Sequence, residues 1–388
     1  MERTGARSGL KIVLLFAKPM FHSHRERIGG IYAAAIKRGW QVQQVDRTPT
    51  RELVDECIRL WNPIGCLIDP SIMTSHMGRR DFCRLPSVIM GHGEARLKWQ
   101  LFDCSFQNSR EPSQMAVKHL SRLGMENFAF VGDPALPSWS VERGKFFREA
   151  VAGNAFFSEY ATPDPGTMRG RRAMVGWMRS LPLPCGCFLA ADHLAVPFYA
   201  AASEAGLKIG ADLPTIGVDD DERVCSSLIP ALSSIQLDFF QSGVNAVALL
   251  EKRLAAPDRP PETATYGVLG VVRRASTAQS YGDRRVTRAM QMIEERGCGK
   301  LAISEIAAAM GCSSRLAEQL FKRHAGMSIL DAIRKVRLEK TFSLLRNRAV
   351  PIDAIPFQCG YGASPACLKT YFKRQTGLTM REWRQHVR

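Results

Sequence analysis

The feature that most constrains this chain is a repeat near its C-terminus. Ile303–Ser328 reads ISEIAAAMGCSSRLAEQLFKRHAGMS, and Ile352–Thr379 reads IDAIPFQCGYGASPACLKTYFKRQTGLT. Ile306 matches Ile355, Gly311 matches Gly360, Phe321-Lys-Arg matches Phe372-Lys-Arg and Gly326 matches Gly377, at an offset of about 50 residues. Each copy reads as a short helix, a glycine corner and a second amphipathic helix, the glycine tolerating the positive φ that a sharp helix-turn-helix corner requires. In the first copy the spacing predicts that Leu316, Leu320 and Phe321 are buried, with Arg315, Glu318 and Gln319 outward. Ser364-Pro365 in the second copy is expected to start a helix, Ser as its cap and Pro at its first position. Between the copies, Ile329–Leu345 reads as one longer amphipathic helix able to fix the two units. Recognition helices held in this way could enter successive major grooves ~34 Å apart.

A single helix-turn-helix pattern is common in helical proteins that never meet DNA, so charge has to decide. The chain carries 53 Lys and Arg against 37 Asp and Glu, a net of +16. From Asp283 to Arg388 there are 20 basic and 9 acidic residues, so roughly +11 of that net lies in the last quarter. A basic excess on the repeated segment points to double-stranded DNA as the polyanionic partner. Bases are expected to be read by Ser313, Ser314, Arg315, Glu318 and Gln319 in the first unit, and by Ser364, Ala366, Lys369 and Thr370 in the second. Lys322, Arg323, Lys373 and Arg374 are expected to sit on phosphate.

These residues resemble the DNA-binding domain of the AraC/XylS family over roughly Val286–Arg388. The family pattern is met at Ile306-Ala307, Gly311, Phe321-Lys322, Gly326 and Ser328, and again at Ile355, Gly360-Tyr361, Phe372-Lys373, Gly377, Thr379 and Trp383-Arg384. Pro356 stands where the family has Ala, and Met380 where it has Pro. A proline inside the first helix of the second unit removes a donor and is expected to kink it, making that unit the weaker reader of sequence.

Ahead of this segment, short apolar runs alternate with amphipathic helical patterns. Lys11–Ala17, Val42–Val45, Gly65–Ile68, Val88–Gly91, Phe128–Gly132, Cys187–Ala191 and Thr215–Val218 read as strands. Arg27–Arg38, Arg51–Trp61, Gln114–Leu123 and Leu194–Ala205 read as helices. Such alternation predicts a parallel sheet covered by helices on both faces, with ligands outside the carboxyl ends of the strands. The loops Pro19–Glu26, Asp133–Arg143, Ala191–His193 and Asp219–Arg223 are therefore the ones to examine. Thr265–Val272 reads as one further strand, Arg273–Arg285 as a polar connector, and Ala278–Gly282 as the domain boundary.

Several matches in order carry a second resemblance, from about Leu10 to Ser276. They are His119-Leu120 with Gly124, Phe128–Gly132, Trp139-Ser140 with Arg143, Ala190-Ala-Asp192, Ile216-Gly-Val-Asp219-Asp, Leu232-Ser-Ser-Ile235 and Arg273-Arg-Ala-Ser276. Together they resemble the sugar-sensing domain of LacI-type repressors and periplasmic sugar-binding proteins. Followed by AraC-type DNA binding, this is the arrangement of bacterial xylose regulators of the XylR type. The resemblance implies a two-lobed α/β periplasmic-binding-protein-like domain plus an all-α C-terminal domain. The expected limits are 1–278 for sensing and dimerisation, 279–285 for a linker and 286–388 for DNA binding, with helix-turn-helix motifs at about 300–325 and 350–376. It also implies a monosaccharide effector, xylose among the candidates, held by Arg143 and Asp219, then Asp192, with Trp139 or Phe21 against the ring. Asp192 has a plain alternative as the cap of the following helix, Arg143 as a surface charge and Trp139 as packing. Ala191 replaces the Asn usual in the family before that Asp, which leaves the ligand's identity open.

The remaining chemistry is sparse. Eleven cysteines show no CxxC and no zinc spacing, so reduced thiols are expected. His22-x-His24 lacks a partnering motif and reads as a solvated loop rather than a metal site. No P-loop, GxSxG or dinucleotide fingerprint occurs, so no cofactor and no enzyme activity are expected. No stretch reaches the ~18 apolar residues of a membrane span, and a cytoplasmic, homodimeric regulator is expected, meeting RNA polymerase if it activates. Two rivals stand beside this reading. One is an AraC-type regulator whose front domain only dimerises or senses a ligand other than sugar. The other is a cysteine-dependent DNA-repair enzyme with a DNA-binding tail.

Overall fold

The computed structural model describes residues 10–72, 82, 85–91, 102–135, 138–154, 156–278, 283–347 and 350–386. The chain forms two compact units. The first comprises Met1–Ser109, Pro137–Glu142 and Asp238–Gly267; the second comprises Arg110–Leu136, Arg143–Leu237 and Val268–Arg388.

The first unit is built on β1 (Lys11–Phe16), α1 (His22–Ile36), β2 (Trp40–Val45), α2 (Arg51–Trp61), β3 (Gly65–Ile68), β4 (Ser87–Gly91) and β5 (Asp103–Gln107), with β11 (Thr263–Tyr266) after the long helix α8 (Phe239–Ala255). Its sheet is parallel, in the order β11-β5-β4-β3-β1-β2. The unbroken apolar run in β1 is what a strand covered on both faces needs. Val13 and Leu15 pack with Ile31, Ala246 and Leu250 on one side, while Leu14 and Phe16 pack with Leu53, Val54 and Cys57 on the other. Helices α1 and α8 meet through Gly30 and Gly243. A Cβ on either would lie 2.0 Å from the Phe240 carbonyl oxygen or 2.1 Å from that of Arg27, so only glycine allows this approach.

The second unit contains α3 (Arg110–Ser121), β6 (Asn127–Val131), α4 (Ser138–Ala150) from Arg143 onward, β7 (Phe156–Tyr160), α5 (Met168–Arg179), β8 (Gly186–Leu189), α6 (Ala195–Ala205), β9 (Thr215–Val218), α7 (Glu222–Cys225), β10 (Ser233–Leu237) and β12 (Val268–Val272). The order is β12-β10-β9-β8-β6-β7, parallel except for β12, which runs antiparallel to β10. Phe128, Phe130, Phe147 and Phe188 form its aromatic centre, with the rings of Phe147 and Phe188 4.9 Å apart. The α/β fold that the alternation of patterns predicted is present, and its two sheets match the two-lobed arrangement that the second resemblance implies.

Three expectations are corrected here. The single strand at Thr265–Val272 is two, β11 and β12, which belong to different sheets on either side of Gly267. The polar connector does not begin at Arg273: Arg274, Ser276 and Thr277 are buried, with Ala275–Thr277 a short 3-10 helix. Their polar groups are satisfied, since Ser276 Oγ donates to the Thr215 carbonyl at 2.6 Å and accepts from the Ser233 amide at 2.8 Å. Finally, the loop expected at Pro19–Glu26 gives way to α1 at His22. The expected boundary at Ala278–Gly282 lies, beyond Ala278, outside the described residues, as does most of the linker.

Among the described residues seven α-helices follow: α9 (Arg284–Arg296), α10 (Ile303–Ala309), α11 (Ser314–Ala325), α12 (Ile329–Arg346), α13 (Ile355–Gln358), α14 (Pro365–Thr376) and α15 (Met380–His386). They enclose two cores. Val286, Ile293, Ile306, Phe321 and Ile333 belong to one, and Leu344, Ile355, Leu368, Phe372 and Met380 to the other, with α12 contributing to both.

Candidate DNA interface and sensor residues

The first helix-turn-helix pairs α10 with α11. Gly311 turns the corner at φ +65°, and Ser313 caps α11 by accepting the Leu316 amide at 3.4 Å. Ala317 and Phe321 are buried, and Leu320 is partly buried. Leu316, expected in the core, is instead 39% exposed, because the buried stripe runs through Ala317 and Phe321. Ser313, Ser314, Arg315, Gln319, Lys322 and Arg323 are exposed. Glu318 is the exception to the expected outward face. It is half-buried, and its carboxylate accepts the first amide of α12, Ile329, at 3.3 Å, a favourable place for an anion at a helix N-terminus.

The second helix-turn-helix pairs α13 with α14 around Gly360, at φ +76°. Pro356 does not kink a helix interior. A 3-10 turn at Ile352–Ala354 leads into the four-residue α13, and Pro356 lies in its first turn, where a missing N–H leaves no bond unmade. Ser364 holds the expected position before Pro365 but makes no capping bond; its hydroxyl lies 3.1 Å from the Cys367 sulfur. Leu368 and Phe372 are buried, while Ser364, Ala366, Lys369, Thr370, Lys373 and Arg374 are exposed. Lys369 pairs with Asp353 at 3.2 Å across the exposed surface, and the Arg374 guanidinium lies 5.5 Å from the Tyr371 ring.

The sensor residues fall into both units. Phe21 and Trp139 belong to the first, where Phe21 is 54% exposed. Arg143, Asp192 and Asp219 belong to the second. Arg143 is not a surface charge: it is 2% exposed, and its guanidinium donates to the Ala190 carbonyl at the end of β8. Asp219 follows β9 with φ +110°, and Asp220 follows it at +55°. Two successive residues in this sparsely populated region mark a loop held in place by its surroundings.

Asp192 does that holding. It does not cap the helix after it; its carboxylate accepts from the Asp221 amide at 2.9 Å, the Ser234 hydroxyl at 2.7 Å and the Cys225 thiol at 3.3 Å. Burial, reinforced by the charge of Asp219, pushes its carboxyl well above the usual range. Arg274 pins the same loop from the other side, bridging Asp220 at 2.9 Å and Glu222 at 2.6 Å while donating to the Leu232 carbonyl. In the sequence Arg274 stands out only within the closing Arg-Arg-Ala-Ser run, and no hydrophobic pattern marks it as buried.

At the carboxyl ends of β6, β7 and β8 the second unit carries an open cavity of about 470 Å³. Asp133, Asp164, His193 and Pro197 are among its lining, and Arg143, Asp192 and Asp219 are not. His193 Nε2 lies 3.1 Å from Asp133, whose carboxyl that contact holds below its usual range. Elsewhere burial pushes the Cys66 thiol up to about 12 and the Cys359 thiol to about 11, so neither is activated. His24 points at Asp69 from 3.7 Å, and no cluster able to hold a metal occurs among the described residues. Nor is any helix among them long and apolar enough to cross a membrane.

Known proteins align with both parts. A family profile for a periplasmic binding protein-like domain matches residues 117–277, and one for a helix-turn-helix domain matches 306–386. The xylose operon regulatory protein of Escherichia coli (strain K12) is 27% identical over 278 residues, covering 70% of this chain and 71% of that protein. The HTH-type transcriptional activator RhaR of Salmonella arizonae is 36% identical over 73 residues, 19% of this chain and 26% of that protein. Among solved structures, a xylose-binding transcription activator has the same fold at a TM-score of 0.61 and 22% identity, covering 97% of this chain and 98% of the other. The chain is a DNA-binding transcription regulator built on the plan of the xylose operon regulators, a periplasmic binding protein-like domain followed by a tandem helix-turn-helix domain.

Proposed function

We propose that the chain senses a monosaccharide with its α/β part and converts that binding into a change in operator affinity. The observation that carries this reading is the union, in one polypeptide, of a periplasmic binding protein-like domain with two helix-turn-helix units whose basic faces are exposed. The division of labour is 1–278 for sensing and dimerisation, 279–285 for the link and 286–388 for DNA. Arg143 and Asp219 are the main ligand residues. Both carry the charge that makes strong hydrogen bonds to vicinal hydroxyls, and Asp219 stands on the loop that Asp192 and Arg274 clamp. Trp139 and Phe21 offer aromatic faces. Bases are read by Ser313, Ser314, Arg315, Glu318 and Gln319 and by Ser364, Ala366, Lys369 and Thr370, while Lys322, Arg323, Lys373 and Arg374 meet phosphate. The chain works in the cytoplasm as a homodimer, without cofactor or catalysis, and meets RNA polymerase if it activates.

Thermal unfolding against a panel of pentoses and hexoses, xylose included, tests the sensor. A sugar at ~100 times its dissociation constant stabilises the folded state by about 2.7 kcal/mol, a readable rise in midpoint. An Asp219→Ala chain that folds normally should lose that rise. No shift with any sugar would overturn the sensor reading and favour a front domain that only dimerises.

A further inference from the structure

The two helix-turn-helix cores share no buried residue among those described, so something must set the angle between them. Helix α12 runs through both, and its 18 residues span about 27 Å. Beside it, a polar joint among the described residues connects the two bundles. Arg337, midway along α12, donates from Nε to the Gly297 carbonyl at 2.7 Å and from Nη2 to the Gly299 carbonyl at 3.1 Å. Both acceptors belong to the chain just past α9 of the first bundle. The same guanidinium lies 5.1 Å from the ring of Tyr361, in the corner of the second. The corner itself presses on this joint: a Cβ on Gly360 would lie 2.6 Å from the Cys298 carbonyl oxygen and 3.1 Å from Arg337 Cζ. One turn further along α12, the Thr341 hydroxyl donates to the Arg337 carbonyl at 2.7 Å and lies 3.3 Å from the Cys359 sulfur.

We infer that Arg337 is a positioning residue for DNA recognition: it locks the turn of the second helix-turn-helix onto the end of α9 and so sets the spacing at which the two recognition helices read DNA. The chemistry suits the task. A planar guanidinium can donate to two carbonyls and stack on an aromatic face at once, whereas an ammonium cannot keep all three contacts. The carbonyls past the end of a helix are where a cation is favoured electrostatically. The inference rests on the reading that both units bind DNA, and the experiment separates the two claims.

Duplexes are first selected on the wild-type chain from a random library. Binding is then measured on the selected duplex, on each half-site alone, and on duplexes with one to five base pairs added or removed between half-sites. Low salt keeps the half-site affinities measurable. Arg337→Met keeps the stem and removes both donors. It is expected to lose about tenfold or more on the native spacing, retain each half-site within about threefold and bind the shifted duplexes with a flattened preference. Arg337→Lys should fall between. Circular dichroism and the unfolding midpoint report whether each variant is folded. An unaltered spacing preference would overturn the inference, as would an equal loss on half-sites and full duplex by a folded variant. A wild-type chain that selects only one half-site would overturn the tandem reading itself, and with it the role of Arg337.

Discussion

His119 and Asp192 are both buried in the second unit, and burial moves their pKa values in opposite directions. His119 lies 2.9 Å from the Thr277 hydroxyl, and burial, with Arg273 and Arg122 nearby, pushes it down from 6.5 to about 3. Its folded pKa lies below its unfolded one, so the stability of the neutral ring is fully present above about pH 6.5 and is lost as pH falls towards 3. Denaturant midpoints should therefore fall on acidification through that window, and His119→Gln should flatten the fall; an unchanged slope would assign it to other groups. Asp192 is the reverse case. Its folded pKa is raised, so its contribution is present at low pH and declines as pH rises. The Asp192 clamp has a second test in Gly217 of β9, where a Cβ would lie 2.2 Å from the Asp192 carboxylate. Gly217→Ala should cost about 1–3 kcal/mol through this overpacking and should weaken effector binding more than Asp192-remote changes of equal cost. At the DNA face, Arg315→Ala should weaken cognate binding by about 1–3 kcal/mol while sparing random DNA if the guanidinium reads a base. An equal loss on random DNA would make it a phosphate contact.

At the scale of elements, the separate cores of the helix-turn-helix units predict separable failures. Phe321 and Phe372 are each fully buried, one in each core. Truncation to Ala costs about 3–5 kcal/mol, so Phe372→Ala should unfold the second bundle in a transition distinct from the first and leave half-site binding by α11. A single cooperative loss of both would contradict two independent cores. This part of the chain was the most legible in sequence, because the repeat aligned glycines whose positive φ no other residue adopts readily. What it concealed was rotational. A helix-period stripe places Leu316 and Ala317 one residue apart, and the structure buries the small one. Proline read as a kink because its position within the helix depended on where α13 begins. In the α/β part, the strands with continuous apolar runs were legible, whereas β5, β7, β10 and the split of β11 from β12 were not. Strands such as Ser233–Leu237 bury serines through hydrogen bonds to Arg274 and Asp192, a satisfaction that no hydrophobic pattern records. Arg274 was hidden for the same reason.

For the whole molecule, the second unit already contains contacts through which sensing could reach DNA. The α12 residue Arg346 donates to the Leu269 carbonyl in β12 at 2.7 Å, Ser343 approaches Gln236 of β10 at 3.3 Å, and Glu339 pairs with Arg273 at 3.6 Å. Arg273 adjoins Arg274, which grips the loop carrying Asp219. The helix that joins the two DNA-reading units is thus tied to the strands beside the proposed effector loop. Only a difference in effector affinity between two states can bias operator binding, and the coupling must be reciprocal. The most direct test of this coupling is operator affinity measured at fixed salt with and without the sugar that stabilises the chain. The expected change is about 5- to 150-fold in Kd, matched by an equal change in sugar affinity on operator DNA. A sugar that raises the unfolding midpoint yet leaves operator affinity unchanged would contradict it.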